Sequence, residues 1–166
     1  MIKSGYSNAS MNEAISLVDI TKGVESIPNN DYDDGYDSYD TKTAVANVYE
    51  CYKNKFHGRF TLKPDFDKKT IKAIVGTKKD WGYRGMTAKQ QTREVVEWLL
   101  MCSKSSYDQL KKDPTPATFK SLKYKDDHFN EFYNSKSSDG TPLNKYGVAF
   151  RFMKVVTNNV LAELGL

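Results

Sequence analysis

The clearest helix signal in the sequence is GTKKDWGYRGMTAKQQTREVVEWLLMC, residues 76–102. Thr87 and Gln90 fit a capping box, in which each side chain bonds a backbone N–H group at the start of a helix. Apolar residues then recur at helical spacing and cover a wide face: Val95, Val96, Trp98, Leu99, Leu100, Met101 and Cys102. We therefore predict a central helix at residues 87–103, with the core built around it.

The rest of the chain predicts a mainly helical α+β fold of about five helices. Besides the central helix, apolar patterns indicate helices near residues 10–22, 41–57, 115–134 and 145–164, with a short helical turn at 106–112. Gly23 is expected to end the first of them. Two short segments, residues 59–63 and 70–75, have the composition of strands and are separated by turn-like residues, so we predict one β-hairpin at residues 59–75.

The chain is long enough for one hydrophobic core. We predict a flexible lead-in at residues 1–9 and a single domain at 10–166, with an acidic linker at 28–40. Cys51 and Cys102 lie in predicted helices beside apolar residues, which indicates reduced core residues rather than a disulfide or a metal pair. The sequence has no apolar run of membrane-spanning length, and residues 1–14 have no signal-peptide pattern. We therefore expect no membrane contact and no secretion by a signal peptide.

Charge is divided unevenly along the chain. Residues 1–40 hold two lysines and eight carboxylates, a balance of −6. Because the net charge of the whole chain is +4, the remaining residues carry +10. Residues 53–93 are the basic centre, with twelve Lys or Arg against three aspartates. Such a division suggests contact with an acidic partner, which could be nucleic acid or the acidic segment of this chain or a neighbouring copy. The predicted contact residues are Lys68, Lys69, Lys72, Lys78, Lys79, Trp81, Tyr83 and Arg84.

Two explanations fit these basic residues. The first explanation is a surface that binds nucleic acid, because lysine and arginine neutralise phosphates and exposed aromatic rings stack on bases. The other is that lysines on the predicted hairpin block the pairing of its edges with other sheets.

The acidic segment PNNDYDDGYDSYD, residues 28–40, invites a comparison with a calcium loop. With Gly35 at the sixth position of an EF-hand, Tyr32 and Thr41 fall where oxygen-rich acidic ligands belong. We therefore predict no metal and interpret the segment as a solvated linker or as a strip that docks on the basic surface of a neighbour. The predicted assembly contacts are Asp31, Tyr32, Asp33, Asp34, Tyr36, Asp37 and Tyr39.

No known catalytic motif is evident. The sequence has no phosphate-binding loop, dinucleotide fingerprint, zinc motif or nucleophile elbow. His57 and His128 are far apart in the sequence and have no indicated Ser or Cys partner, so we predict surface or helix-capping roles for them. We predict no catalytic residue and no cofactor.

One short stretch, residues 64–78, resembles a fragment of the PD-(D/E)xK nuclease pattern. It contains Pro64-Asp65-Phe66, a predicted strand and then Gly76-Thr77-Lys78. In that family, acidic residues on adjacent strands hold a divalent metal and a lysine helps to activate water. The resemblance implies that Asp65 takes the place of the first acidic metal ligand and Lys78 that of the lysine. It implies peripheral roles for Glu50 and for either Gln90 or Gln91. Gly76 stands where the second carboxylate belongs, so the implied nuclease is a degenerate one.

The bias toward Lys, Asn, Asp, Ser and Tyr is typical of AT-rich genomes such as those of many phages. We therefore expect a non-enzymatic subunit of a larger assembly, specifically a viral particle component of the ring or head–tail connector type. It would form a homo-oligomer, contact other subunits and contact DNA through the basic region. Its expected location is a virion or a host cytoplasm. The first alternative is a small phage-type nucleic-acid-binding or host-directed protein that uses residues 53–93. The second is the degenerate nuclease.

Overall fold

The computed structural model describes residues 15–27, 40–81 and 85–166, and within these ranges the fold is helical without a β-strand. Across the described ranges, nine α-helices follow one another: α1 (Leu17–Ser26), α2 (Thr41–Lys55), α3 (Lys68–Val75), α4 (Lys78–Trp81), α5 (Ala88–Met101), α6 (Lys104–Lys112), α7 (Pro116–Lys125), α8 (His128–Tyr133) and α9 (Val148–Leu164). A 3₁₀ turn, Lys145–Gly147, leads into α9. The prediction of a mainly helical fold is thus confirmed, whereas the predicted number of about five helices is too low for the described ranges alone.

The predicted β-hairpin at residues 59–75 is wrong. Residues 59–62 have no regular secondary structure, and the second predicted strand is helix α3. Asp67 caps this helix by accepting a 2.7 Å hydrogen bond from the Thr70 N–H group. Ile71, Ile74 and Val75 are all buried, and their spacing places them on one helical face. The predicted helix at 115–134 is also divided, into α7 and α8.

Helix α1 does not end at Gly23 as predicted. The predicted start at Ser10 lies outside the described residues. The described helix is capped by Ser16, whose Oγ accepts a 3.1 Å hydrogen bond from the Asp19 N–H group. Gly23 lies inside the helix, where a Cβ atom would come within 2.8 Å of Val155 Cγ2. Glycine therefore allows close packing of α1 on α9.

The core lies around α5 and α9. Helix α9 packs against α1, α2 and α5, and α5 also contacts α3 and α8. The predicted capping box of α5 is present, with Thr87 N to Gln90 Oε1 at 2.8 Å and Gln90 N to Thr87 Oγ1 at 3.1 Å. The apolar residues predicted for this helix are all buried, and α5 shares the core with α9.

Two buried arginines join the ends of helices to neighbouring segments. The Arg59 guanidinium donates hydrogen bonds to the carbonyl oxygens of Leu99 and Cys102 at the end of α5. Arg151 on α9 donates to Val24 O at 3.1 Å, near the end of α1, and to Tyr146 O at 3.1 Å. Positive charge is favoured at the C-terminus of a helix, because unpaired carbonyl groups point there. These arginines therefore fix the irregular segment 59–62 and the turn before α9.

Cys51 and Cys102 are free thiols in buried positions, as the sequence predicts. Within the described part of the chain, no helix has both the length and the apolar character needed to cross a membrane.

Candidate functional site

Five of the predicted contact residues form an exposed basic surface on α3 and α4. We call Lys68, Lys69, Lys72, Lys78 and Lys79 the lysine surface; each of these side chains is exposed. None of the five forms an ion pair with a described residue. Helix α3 packs against α5 and α7, and α4 packs against α7. The surface therefore presents its ammonium groups from helices anchored in the fold.

The two aspartates that flank the lysine surface in the sequence are hydrogen-bonded to threonines and not to these lysines. Asp67 bonds the Thr70 N–H group, and Asp80 accepts hydrogen bonds from Thr77 N at 2.7 Å and Thr77 Oγ1 at 3.0 Å. These hydrogen bonds lower the pKa of both carboxyl groups, so both stay charged. Five lysines against two carboxylates leave the region with a positive balance.

Several predicted contact residues lie wholly or partly outside the described structure. Trp81 ends α4, but its side chain is not among the described parts, and Tyr83 and Arg84 are outside the described residues. The predicted assembly contacts, all within residues 31–39, are outside them as well. Of the acidic segment only Asp40 is described, where it caps α2 by accepting a 3.3 Å hydrogen bond from Thr43 N. Its docking on a basic surface stays a prediction.

The residues that carry the nuclease resemblance have structural roles. Asp65 Oδ2 accepts a 2.9 Å hydrogen bond from the Tyr107 hydroxyl, and Oδ1 lies 3.4 Å from Lys111 Nζ. Gly76 has φ +64°, and a Cβ there would lie 2.7 Å from Pro116 Cγ, which leaves no room for a carboxylate side chain. The strands that the resemblance requires are absent from the described residues. In the same ranges, no three His, Cys, Asp or Glu side chains are placed to hold a metal ion.

The other residues in that resemblance are also accounted for. Gln90 belongs to the capping box, Gln91 is fully buried, and Glu50 is exposed on α2.

The two histidines occupy partly buried positions near the end of α2. Burial is the main cause that lowers the pKa of His57, and the charges of Arg59, His128 and Lys104 add to it. His128 packs on the Phe56 ring at a centroid distance of 4.6 Å, and its Nδ1 lies 3.2 Å from Glu131 Oε1. Both imidazole rings are therefore partly buried, whereas the sequence predicted surface or helix-capping roles for them.

Two clefts flank the junction of α7 and α8, and sequence reasoning identified neither. The larger, about 700 Å³, runs between α6, α7 and α8 and is lined mainly by hydroxyl and charged side chains. The smaller, about 270 Å³, lies between α5, α7 and α8, and we call it the acidic cleft. Its lining consists of Glu94, Glu97, Trp98, Lys123, Asp126, Asp127, Phe129 and Asn130. No motif reveals it, because three separate helices supply its residues.

Asp126 forms the partition at this junction and is held by several hydrogen bonds. Its Oδ2 accepts from Ser103 Oγ at 2.7 Å and Ser103 N at 3.1 Å, while Oδ1 accepts from His128 N at 2.9 Å. Burial raises the pKa of this carboxyl, but hydrogen bonds from Ser106, Ser103 and His128 outweigh burial and lower it overall. Asp126 thus connects the starts of α6 and α8.

Comparison with protein-family models, curated proteins and solved structures finds no match to this chain.

Proposed function

We propose that the protein is a non-enzymatic subunit of a larger assembly and that the lysine surface is its contact with an acidic partner. The observation that supports this most directly is the exposure of all five lysines without an ion pair to a described residue. Lys68 and Lys72 are one helical turn apart, and like charges at this spacing destabilise a helix by about 0.2–0.5 kcal/mol. Stability of the isolated chain therefore does not explain their placement, whereas a partner would.

The acidic partner we propose is the segment of residues 28–40 in a neighbouring copy. The balance of −6 in residues 1–40 complements the lysine surface. Contact between two different patches joins copies head to tail, which produces a ring where the rotation closes. A ring or head–tail connector of a viral particle is the specific form we propose, supported by the Lys, Asn and Tyr-rich composition.

Nucleic acid is the second candidate partner. The same five ammonium groups can neutralise phosphates, and the aspartates that flank them in the sequence, Asp67 and Asp80, are bonded to backbone N–H groups instead. The two candidates differ in which partner the lysines bind, so self-association and nucleic-acid binding are to be measured separately.

Native mass spectrometry with light scattering tests the assembly. We expect the wild type to form a defined oligomer and a variant with all five lysines of the lysine surface replaced by Glu to be a folded monomer. The matched control replaces five other exposed lysines, Lys22, Lys42, Lys55, Lys112 and Lys125, by Glu and so changes the net charge equally. That control should assemble. A wild type that stays monomeric at every concentration, or equal loss of assembly in both variants, would overturn the proposal.

A further inference from the structure

Tyr124 is the most exposed large apolar side chain in the part of the chain that the structure describes, at 89%. It lies on the face of α7 away from the buried Phe119 and Leu122, and Lys120 lies one turn before it on that face. A ring this exposed contributes little packing to the fold and is accessible to a partner. A single exposed ring does not by itself make a site, so the residues around it decide what it can bind.

Lysines surround this ring, and α7 itself contains no carboxylate. Of the three lysines in the helix, Lys123 is paired with Glu94 at 2.5 Å. Lys120 and Lys125 are exposed and form no ion pair with a described residue. Tyr124 therefore lies along the helix between two lysines whose charges are available to a partner.

The lysine surface continues onto α7. This helix packs against both α3 and α4, and at its start Pro116 lies so close to Gly76 that a Cβ atom on the glycine would come within 2.7 Å of Pro116 Cγ. Hydrogen bonds are the main cause that lowers the pKa of Asp80 on α4, and the charge of Lys120 lowers it further, so Lys120 lies near α4. Tyr124 follows Pro116 by eight residues, or about 12 Å along the helix axis.

The carboxylates that flank α7 in the sequence lie toward another side of the helix. Asp113 and Asp126 accept hydrogen bonds from hydroxyl groups that line the cleft between α6, α7 and α8. Asp127 is exposed and lines the same cleft. Lys120 lies instead toward α4, so a strip of positive charge runs from the lysine surface over Lys120 to Tyr124.

A strip of ammonium groups that ends at an exposed aromatic ring matches the chemistry of a single-stranded nucleic acid. Ammonium groups neutralise its phosphates, and an exposed ring stacks on its bases. In a duplex the bases are already stacked on one another, so the ring adds nothing there. An acidic peptide matches the charges but has no base to cover the ring.

We propose that Tyr124 is a base-stacking platform for single-stranded nucleic acid whose phosphates lie along Lys120 and the lysine surface. The inference rests on the proposed function, because it takes nucleic acid as the acidic partner of the lysine surface. It goes further in naming the single-stranded form and in adding α7 to the contact.

Fluorescence anisotropy at low salt tests the stacking, with one labelled oligonucleotide of about 12 nucleotides used alone and annealed to its complement. Tyr124→Leu keeps an apolar side chain but removes the flat ring. We expect its affinity for the single strand to be at least about fivefold weaker, or about 1 kcal/mol, and its affinity for the duplex to be unchanged. Tyr124→Phe keeps the ring and should bind as the wild type does. Phe150→Leu, at a 43% exposed aromatic position on α9, is the matched control and should have no effect.

The outcomes separate this inference from the proposed function. If the Glu variant of the lysine surface loses the single strand but Tyr124→Leu binds it normally, the stacking is overturned and the lysine surface remains the contact with an acidic partner. If the wild type does not bind the single strand, the inference is overturned, and the oligomeric state still decides the proposed function. An equal loss of single strand and duplex by Tyr124→Leu, or weaker self-association in place of weaker strand binding, would also overturn it.

Discussion

The Nη2 atom of Arg59 lies 3.0 Å from the carbonyl oxygen of Cys102, just beyond the end of α5. The same guanidinium bonds Leu99 O and lies over the Tyr107 ring, 4.1 Å from its centroid. Arg59 is only 1% exposed. Helix-end carbonyls and an aromatic face therefore replace the water that a charged group ordinarily requires.

We predict that Arg59→Met lowers the free energy of unfolding by at least about 2 kcal/mol, because each helix-end carbonyl left without a donor costs about 1–3 kcal/mol. Methionine keeps part of the side-chain volume, so the loss reports mainly on the donors. Urea unfolding measures it. Lys63→Met, at an exposed position nearby, should stay within about 0.5 kcal/mol of the wild type. If the two variants are equally stable, Arg59 does not have this role.

Local signals in the sequence account for the helices that were predicted correctly. The capping box at Thr87 and Gln90 and the apolar face of α5 depend on residues within a few positions of one another. The error at residues 68–75 arose because β-branched Ile71, Ile74 and Val75 suggest a strand by composition. Their spacing, and Asp67 as a cap, are helical signals that decide the outcome.

The rest depends on contacts between distant parts of the chain. Arg59 and Leu99 are 40 residues apart, so the strand-like composition of residues 59–63 could not reveal that the buried Arg59 bonds the end of a helix. The exposure of the predicted lysines on α3 and α4 could be anticipated from their charge. The acidic cleft could not, because Glu94 and Glu97 look like the polar side of an amphipathic helix.

The hydrogen bonds to Asp126 predict how stability depends on pH. The folded pKa of this carboxyl is below its ordinary value of 3.8, so Asp126 stabilises the fold above that pH. This contribution is lost as the pH falls through the lower folded pKa. We predict that Asp126→Asn is less stable than the wild type by about 1 kcal/mol at neutral pH, and that the difference shrinks below about pH 4.

Urea unfolding at a series of pH values measures this difference, with Asp127→Asn as the control. Asp127 precedes α8 but makes no side-chain capping bond. Its substitution should change stability by less than about 0.5 kcal/mol. A constant gap between Asp126→Asn and the wild type down to about pH 2 would contradict the prediction.

Both cysteines should be inert in the folded protein. Burial raises the pKa of Cys102 to about 12 and also raises that of Cys51. Because the thiolate is the reactive form, we predict no labelling by a disulfide reagent at mildly alkaline pH and labelling of both thiols in urea. Ser105→Cys, at an exposed position of α6, provides the reactive control. Labelling of Cys102 in the folded protein as fast as this control would show that the burial is not maintained.

Nucleic-acid binding through the lysine surface should depend steeply on salt. For duplex DNA, the slope of log affinity against log salt is about −0.9 for each phosphate neutralised, so five contacts give about −4.5. We predict that replacing Lys68, Lys69, Lys78 and Lys79 by Glu abolishes binding, as measured by fluorescence anisotropy of a labelled duplex. Replacing Lys22, Lys42, Lys55 and Lys112 is the matched control. No binding at low salt, or no effect of the first set, would exclude this partner.

Replacement of the acidic segment tests the second of the two surfaces that we propose to meet in the assembly. A Gly-Ser linker in place of residues 28–39 should leave a folded protomer that no longer assembles. Asp40 is kept because it caps α2, and Ile27 because it packs on the core. Surface ion pairs contribute about 0–1 kcal/mol each, so the segment must act through several of them and through its tyrosines.

Neutral substitutions separate these two contributions. Changing Asp31, Asp33, Asp34 and Asp37 to Asn removes charge but keeps Tyr32, Tyr36 and Tyr39, so we expect weakened assembly rather than none. Light scattering gives the molar mass of each variant, and circular dichroism verifies that the helices are intact. Normal assembly of the linker variant would contradict the prediction. So would a wild type that is monomeric both alone and with its natural companions, because there would then be no neighbour for the segment to bind.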